Sequence, residues 1–163
     1  MLRISKLTDY ATVILARLAT EPARRFTAAQ IAAETHLAGP TVSKLLKQLH
    51  RQGLVLSTRG ASGGYLLARA PGEISAAQIL DALDGPVALT ECASAASHCL
   101  IERTCRVGQA WQRVNLAIRR SLQEITLVEL AGLSSSSSRS ALDRGIPVEF
   151  GRYAGRGPKR EPL

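Results

Sequence analysis

The sequence predicts a mostly α-helical protein: a winged helix-turn-helix with a two-stranded β wing, followed by a long C-terminal helix. Three observations carry that prediction. Two short amphipathic stretches are separated by a tight, glycine-containing turn, His36-Leu37-Ala38-Gly39. Two short β-prone runs flank a glycine-rich tip, Arg59-Gly-Ala-Ser-Gly-Gly64. The positive charge is also concentrated at one end. The 163-residue chain carries a net charge of +8, with ten Lys/Arg against three Asp/Glu in residues 1–70, five against seven in 71–131 and six against three in 132–163. A basic N-terminal segment suits a surface that meets phosphate, although a merely solubilising surface would carry the same charge.

Each element has its own signal. Thr8 is read as the cap of a first helix that runs to about Thr20, with Ala11, Ile14, Leu15 and Leu18 on one stripe. Thr27 and Gln30 spell a capping box for a second helix ending near Thr35, and Phe26 and Ile31 occupy the positions of a hydrophobic staple. The third helix is expected from Pro40 to about Gln52, capped by Gly53. Val42, Leu45, Leu46 and Leu49 form its buried face, leaving Thr41, Ser43, Lys44, Lys47, Gln48 and Arg51 for solvent. Leu54–Thr58 and Tyr65–Ala68 read as the wing strands. A further helix starts at Ser75 with a second capping box to Gln78, turns Ile79, Leu80 and Leu83 inward, and stops at Asp84-Gly85-Pro86. A long helix from about Val107 to Glu124 carries Trp111, Val114, Ile118, Leu122 and Ile125 on one stripe, and a short turn, Leu127–Leu130, follows. The expected organisation is a DNA-binding winged helix-turn-helix over 1–70, a helix, cysteine loop and long helix over 71–131, and a disordered tail over 132–163 that has little to bury.

The chain's three cysteines, Cys92, Cys99 and Cys105, fall within one short stretch, ECASAASHCLIERTC. No apolar run is long enough to span a bilayer and the opening residues lack a signal-peptide core, so a cytoplasmic protein with no membrane partner is expected. In a reducing compartment, three clustered thiols point to metal or redox chemistry rather than to a disulfide framework. Thiolates are soft donors suited to iron–sulfur clusters and zinc. Zinc prefers tight C-x₂₋₄-C pairs, which are missing here. His98, beside Cys99, is a candidate fourth ligand. On the DNA side, Thr41, Ser43 and Lys44 begin the recognition helix, where base edges are usually met. Lys47 and Arg51 lie further along, toward the backbone; for Lys47 a solvated charge is the simpler role. Arg59 is the candidate for minor-groove insertion, and Gly60, Gly63 and Gly64 would let the wing backbone approach phosphate. Tyr65 and Trp111 read as packing residues, and His36 and His50 as ordinary turn and surface residues. No phosphate loop, nucleophile elbow or acid–base pair marks an enzyme.

LTDYA, TVSKLLKQLHRQGLV, RGASGGYLLAR, the cysteine triad and the Trp-bearing helix together resemble the Rrf2 family of bacterial transcription regulators, over roughly residues 1–131. The opening MLRISKLTDYA and GPVALTEC look most like the branch that regulates SUF iron–sulfur assembly, a relative of the IscR and NsrR subgroups. The resemblance implies a homodimer joined through the long C-terminal helix and bound to pseudo-palindromic double-stranded operators. It also implies an iron–sulfur cluster, 2Fe-2S or 4Fe-4S, on Cys92, Cys99 and Cys105 plus one other ligand. The cysteine gaps here are six and five residues, where many members have five and five. The IscR-type histidine is absent, its place taken by Gly108. Thr8-Asp9 matches the Thr-Asp pair of the NsrR subgroup, which makes Asp9, donated from the partner subunit, the favoured fourth ligand. The expected function is therefore a regulator, most simply a repressor, of iron–sulfur assembly genes. A cluster-free thiol sensor on the same fold and an iron–sulfur carrier are the alternatives.

Overall fold

The computed structural model describes residues 4–60, 62–90, 105 and 107–133. Six helices and one hairpin follow in chain order: α1 (Lys6–Thr20), α2 (Ala28–Thr35), α3 (Gly39–Arg51), β1 (Val55–Thr58), β2 (Gly64–Leu67), α4 (Ala76–Leu83), α5 (Gly108–Glu124) and α6 (Leu127–Leu130). The expected tail lies outside the described residues from 134 onward.

Helix α1 begins earlier than its sequence suggests. Its N-cap is Ser5, whose hydroxyl accepts from the Thr8 backbone N–H at 3.2 Å. Both residues are good caps, but Thr8 is buried and donates its own hydroxyl to Asp84 at 2.7 Å. A distant carboxylate thus satisfies Thr8 inside the helix and leaves the capping to Ser5. Ala11, Ile14, Leu15 and Leu18 are fully buried, as their spacing predicts. At α2 the capping box is complete: Gln30 N–H donates to Thr27 Oγ1 (3.2 Å) and Thr27 N–H donates to Gln30 Oε1 (2.8 Å). Phe26 and Ile31, the staple pair, are both wholly buried.

Helix α3 starts at Gly39, one residue before Pro40, and ends at Arg51. Gly53 adopts a left-handed φ of 69°. Its N–H donates to His50 O and the Leu54 N–H donates to Leu49 O, both at 3.0 Å, which is the paired Schellman pattern with an apolar contact across it. Because Leu54 belongs to this cap, β1 begins at Val55 rather than Leu54. β2 likewise runs from Gly64 to Leu67 instead of Tyr65 to Ala68. The strands pair antiparallel, Val55 opposite Leu67 and Thr58 opposite Gly64.

The wing is anchored to the start of α2. Phe26 and Tyr65 exchange both backbone hydrogen bonds, at 2.9 and 2.8 Å. This close approach requires glycine at 64, where φ is 151° and a Cβ would sit 2.8 Å from the Phe26 carbonyl oxygen. Two guanidinium groups lie over the Phe26 ring, Arg17 at 4.3 Å and Arg24 at 4.6 Å from its centroid. Arg17 is held in turn by Glu34 and Glu21. Burial works against its charge, but those two carboxylates outweigh the effect and raise its pKa.

A 3-10 turn, Pro71–Glu73, leads to α4, whose Ser75–Gln78 capping box forms as expected. Ile79 of its inward face is buried, together with Ala76, Ala77 and Ala82, and Leu83, half-buried, packs against the core as its spacing predicts. Leu80 is half-buried. The segment after α5 meets the start of α4 through an isolated bridge between Ser75 and Thr126. Thr126 and Glu129 form a third capping box there, and α6 inserts a wholly buried Leu127 into the core. Ile74, Ile79, Ala82 and Leu127 join the α1–α3 residues in one hydrophobic core. Helix α5, by contrast, has no buried residue: Trp111 and Val114 of its stripe are exposed, and Ile118, Leu122 and Ile125 are half-buried. No helix among the described residues is long and apolar enough to cross a membrane.

Candidate nucleic-acid interface and thiol segment

Helix α3 is amphipathic in the register the sequence predicts. Val42, Leu45, Leu46 and Leu49 are fully buried; Lys44, Lys47 and Arg51 are exposed; Thr41 and Ser43 sit half-buried in its first turn. Between the second half of α3 and the wing lies an open groove of about 620 Å³. Lys47, Arg59, Gly60, Gly63 and Gly64 all line it, so the fold brings the wing arginine and glycines to one of the helix lysines. Thr41, Ser43, Lys44 and Arg51 are outside that lining. No carboxylate is among the groove-lining residues. Gly63 is confined by the hairpin itself, since a Cβ there would run into the Thr58 carbonyl oxygen. Residues the sequence reading did not place here are Thr27, His50, Ser57, Thr58 and Tyr65. The spacing of Lys47 and His50, one helical turn apart, was the available signal for His50.

Gln48 is corrected from the solvent side. It is half-buried, and its Nε2 donates to the Ala82 carbonyl in the last turn of α4 at 3.3 Å. That same turn makes two further ties. Asp81 accepts two hydrogen bonds from Arg119 of α5, at 3.1 and 2.7 Å, a fork-to-carboxylate pair. Asp84, the C-cap, accepts from Thr8 Oγ1 and, at 3.4 Å, from the Ser5 backbone N–H. The last turn of α4 therefore meets α3, α5 and the start of α1. The chain leaves this turn through Gly85-Pro86 toward the cysteine segment.

The Thr8 hydrogen bond holds the Asp84 pKa below the ordinary carboxylate range, against desolvation and with help from Ser5. Its sign follows from linkage. A depressed folded-state value means the stabilisation is present above the unfolded value of about 4 and is lost as pH falls through the folded value. Asp84 is exposed, so solvent screening keeps the effect below about 1 kcal/mol. Thermal melts should show Asp84→Ala less stable than the parent at neutral pH, with the gap closing on acidification below about pH 4. A gap independent of pH would refute this assignment.

Of the predicted ligands, Cys92, Cys99 and His98 lie outside the described residues. Cys105 is a free, half-buried thiol. Its sulfur lies against Gly108 at the foot of α5, 3.7 Å from where a Cβ would stand. Asp9 is exposed in the first turn of α1, at the rim of an apolar hollow of about 260 Å³ that Ile4, Leu80 and Leu122 also line. Among the described residues no group of three His, Cys, Asp or Glu side chains is gathered as a metal site. The donor set of the whole chain, three cysteines and an available carboxylate, fits a thiophilic inorganic group.

Comparison with known proteins agrees with this architecture. A family model described as Rrf2, iron-dependent transcriptional regulator, matches residues 4–132. The regulator NsrR of Halalkalibacterium halodurans is 26% identical over 131 residues, covering 79% of this chain and 90% of its own. The solved structure of CymR, the global cysteine regulator of B. subtilis, superposes with a TM-score of 0.64 at 29% identity, over 83% of this chain and all of the other. T. potens IscR superposes with a TM-score of 0.61 at 27% identity, over 82% and 89% of the two chains.

Proposed function

The chain belongs to the Rrf2 family of transcriptional regulators, and on that footing we propose that it is a homodimeric repressor of iron–sulfur assembly genes, which it controls according to iron–sulfur or redox status. The observation that carries this reading is a continuous path. The recognition helix is hydrogen-bonded through Gln48 to the last turn of α4, and the chain passes from that turn toward the three cysteines. Lys44, Lys47, Arg51 and Arg59 supply the positive face for an operator's phosphates, and Thr41 and Ser43 begin the helix that would meet base edges. The exposed apolar side chains of α5, Val107 at its cap and Trp111, Val114 and Leu116 within it, suit burial against a second copy.

Cys92, Cys99 and Cys105 would hold an iron–sulfur cluster, with Asp9 of the partner subunit as fourth ligand and His98 as its rival. Such a group supplies a removable tie between chain segments when bound. Asp9 would be a hard donor among soft ones and so the most readily exchanged. It stands next to Thr8, which grips Asp84, so movement at Asp9 is transmitted to the same α4 turn that steadies the recognition helix.

The decisive experiment compares operator binding, at fixed salt, by anaerobically purified protein and by the Cys92→Ala/Cys99→Ala/Cys105→Ala variant. Coupling of about 1–3 kcal/mol corresponds to a difference of roughly 5–150-fold. Equal affinities would exclude cysteine-gated control. The same three clustered thiols, Cys92, Cys99 and Cys105, would also serve direct oxidation, which is the second reading. Colourless protein, free of iron and sulfide, that still responds to oxidant would select it.

A further inference from the structure

His50 has an environment that an ordinary surface histidine lacks. Its Nδ1 lies 3.1 Å from the Val55 carbonyl oxygen. A carbonyl only accepts, so Nδ1 must carry the hydrogen and the ring orientation is set by β1. The remaining nitrogen, Nε2, has no hydrogen-bond partner among the described residues. The ring lines the groove between α3 and the wing, with Lys47 one helical turn away on its own helix and Arg59 across from it on the wing. Tyr65 is the other titratable group in that lining, which contains no carboxylate; Arg51 is the next residue on α3. A groove with two fixed cations and a third, proton-dependent one is suited to a phosphodiester.

We propose that His50 is a proton-dependent phosphate ligand of the DNA backbone, acting with Lys47 and Arg59, so that DNA binding is coupled to uptake of one proton. This rests on the DNA-binding reading above. As a phosphodiester enters the groove, the Nε2 lone pair takes up a proton from the buffer's conjugate acid, which is left as its base. The resulting imidazolium N–H donates to a phosphate oxygen, and the Nδ1–H bond to Val55 keeps the ring aimed. A phosphodiester keeps its charge over the pH range in which an imidazole changes its own. The contact reads backbone rather than bases, so it belongs to non-specific as well as operator binding.

The test uses the full chain and a short mixed-sequence DNA duplex, followed by fluorescence anisotropy at about pH 6 and about pH 8 over a salt series. The parent should bind about three- to tenfold more tightly at the lower pH, with a salt-dependence slope steeper by about 0.9, one additional phosphate contact. His50→Gln should lose both differences. His50→Arg should bind at both pH values like the parent at the lower one. Circular dichroism melts check that each variant folds. The chain has two other histidines, His36 and His98, as well as three thiols, and a pH response that survives in His50→Gln would belong to a group other than His50 and overturn the proposal. Equal slopes at both pH values in the parent would also overturn it. Absence of DNA binding by all three proteins at every pH would instead refute the DNA-binding reading itself.

Discussion

Phe26→Ala should lower the stability of the protein by about 3–5 kcal/mol, the range for removing a fully buried aromatic ring. The ring is wholly buried and central to three features. It occupies the staple position with Ile31 at the start of α2, it carries the Arg17 and Arg24 guanidinium groups over its ring, and its backbone pairs with Tyr65 of the wing. Removing it leaves a cavity and forfeits two cation–π contacts, and the two arginines would then be drawn toward a void they cannot enter without losing water. A domain of this size is stable by only about 5–15 kcal/mol, so the variant should melt lower by on the order of 10 °C. Calorimetry measures this directly. A loss below about 1 kcal/mol would mean that the ring is not the wedge described here.

The second large effect is expected at Gly64. Its φ of 151° is one that L side chains rarely adopt, and a Cβ would stand 2.8 Å from the Phe26 carbonyl oxygen and 3.0 Å from the carbonyl carbon. Backbone strain alone costs about 1–3 kcal/mol. The clash is with backbone, so no flexible side chain can swing aside. Gly64→Ala should therefore destabilise the protein and detach the wing, visible as faster hydrogen exchange at the Phe26 and Tyr65 amides. It should also weaken DNA binding, because Arg59 and its groove depend on the hairpin's position. Gly39→Ala is the control: a Cβ there meets nothing within 4 Å and φ is not in the positive region. If the two variants behave alike, the close approach of Gly64 to Phe26 is not limiting.

Much of the helical framework was readable because its rules are local. The Thr27–Gln30 and Ser75–Gln78 boxes, the left-handed Gly53 and the buried stripe of α3 each depend on groups at most a few residues apart. The errors have a common form. Thr8 looked like a cap because its partner, Asp84, is 76 residues away. Gln48 looked solvated because the Ala82 carbonyl it meets is 34 residues on. Leu80 looked like core but is only half-buried, while Ala76, Ala77 and Ala82 are buried beside Ile79. His50 is on the helix surface, as its position suggested, but the groove it lines exists only once the wing folds back beside α3.

From residue order alone came most helix starts and stops, the winged helix-turn-helix and the basic character of the exposed face of α3, since capping, periodicity and turn chemistry act within one or two turns of chain. Only the folded chain decided that the last turn of α4 joins α1, α3 and α5, that the wing hangs from Phe26, and that α5 keeps an apolar face uncovered. Those contacts pair residues distant in sequence. Which partners meet is set by how whole elements pack, and no local preference encodes it.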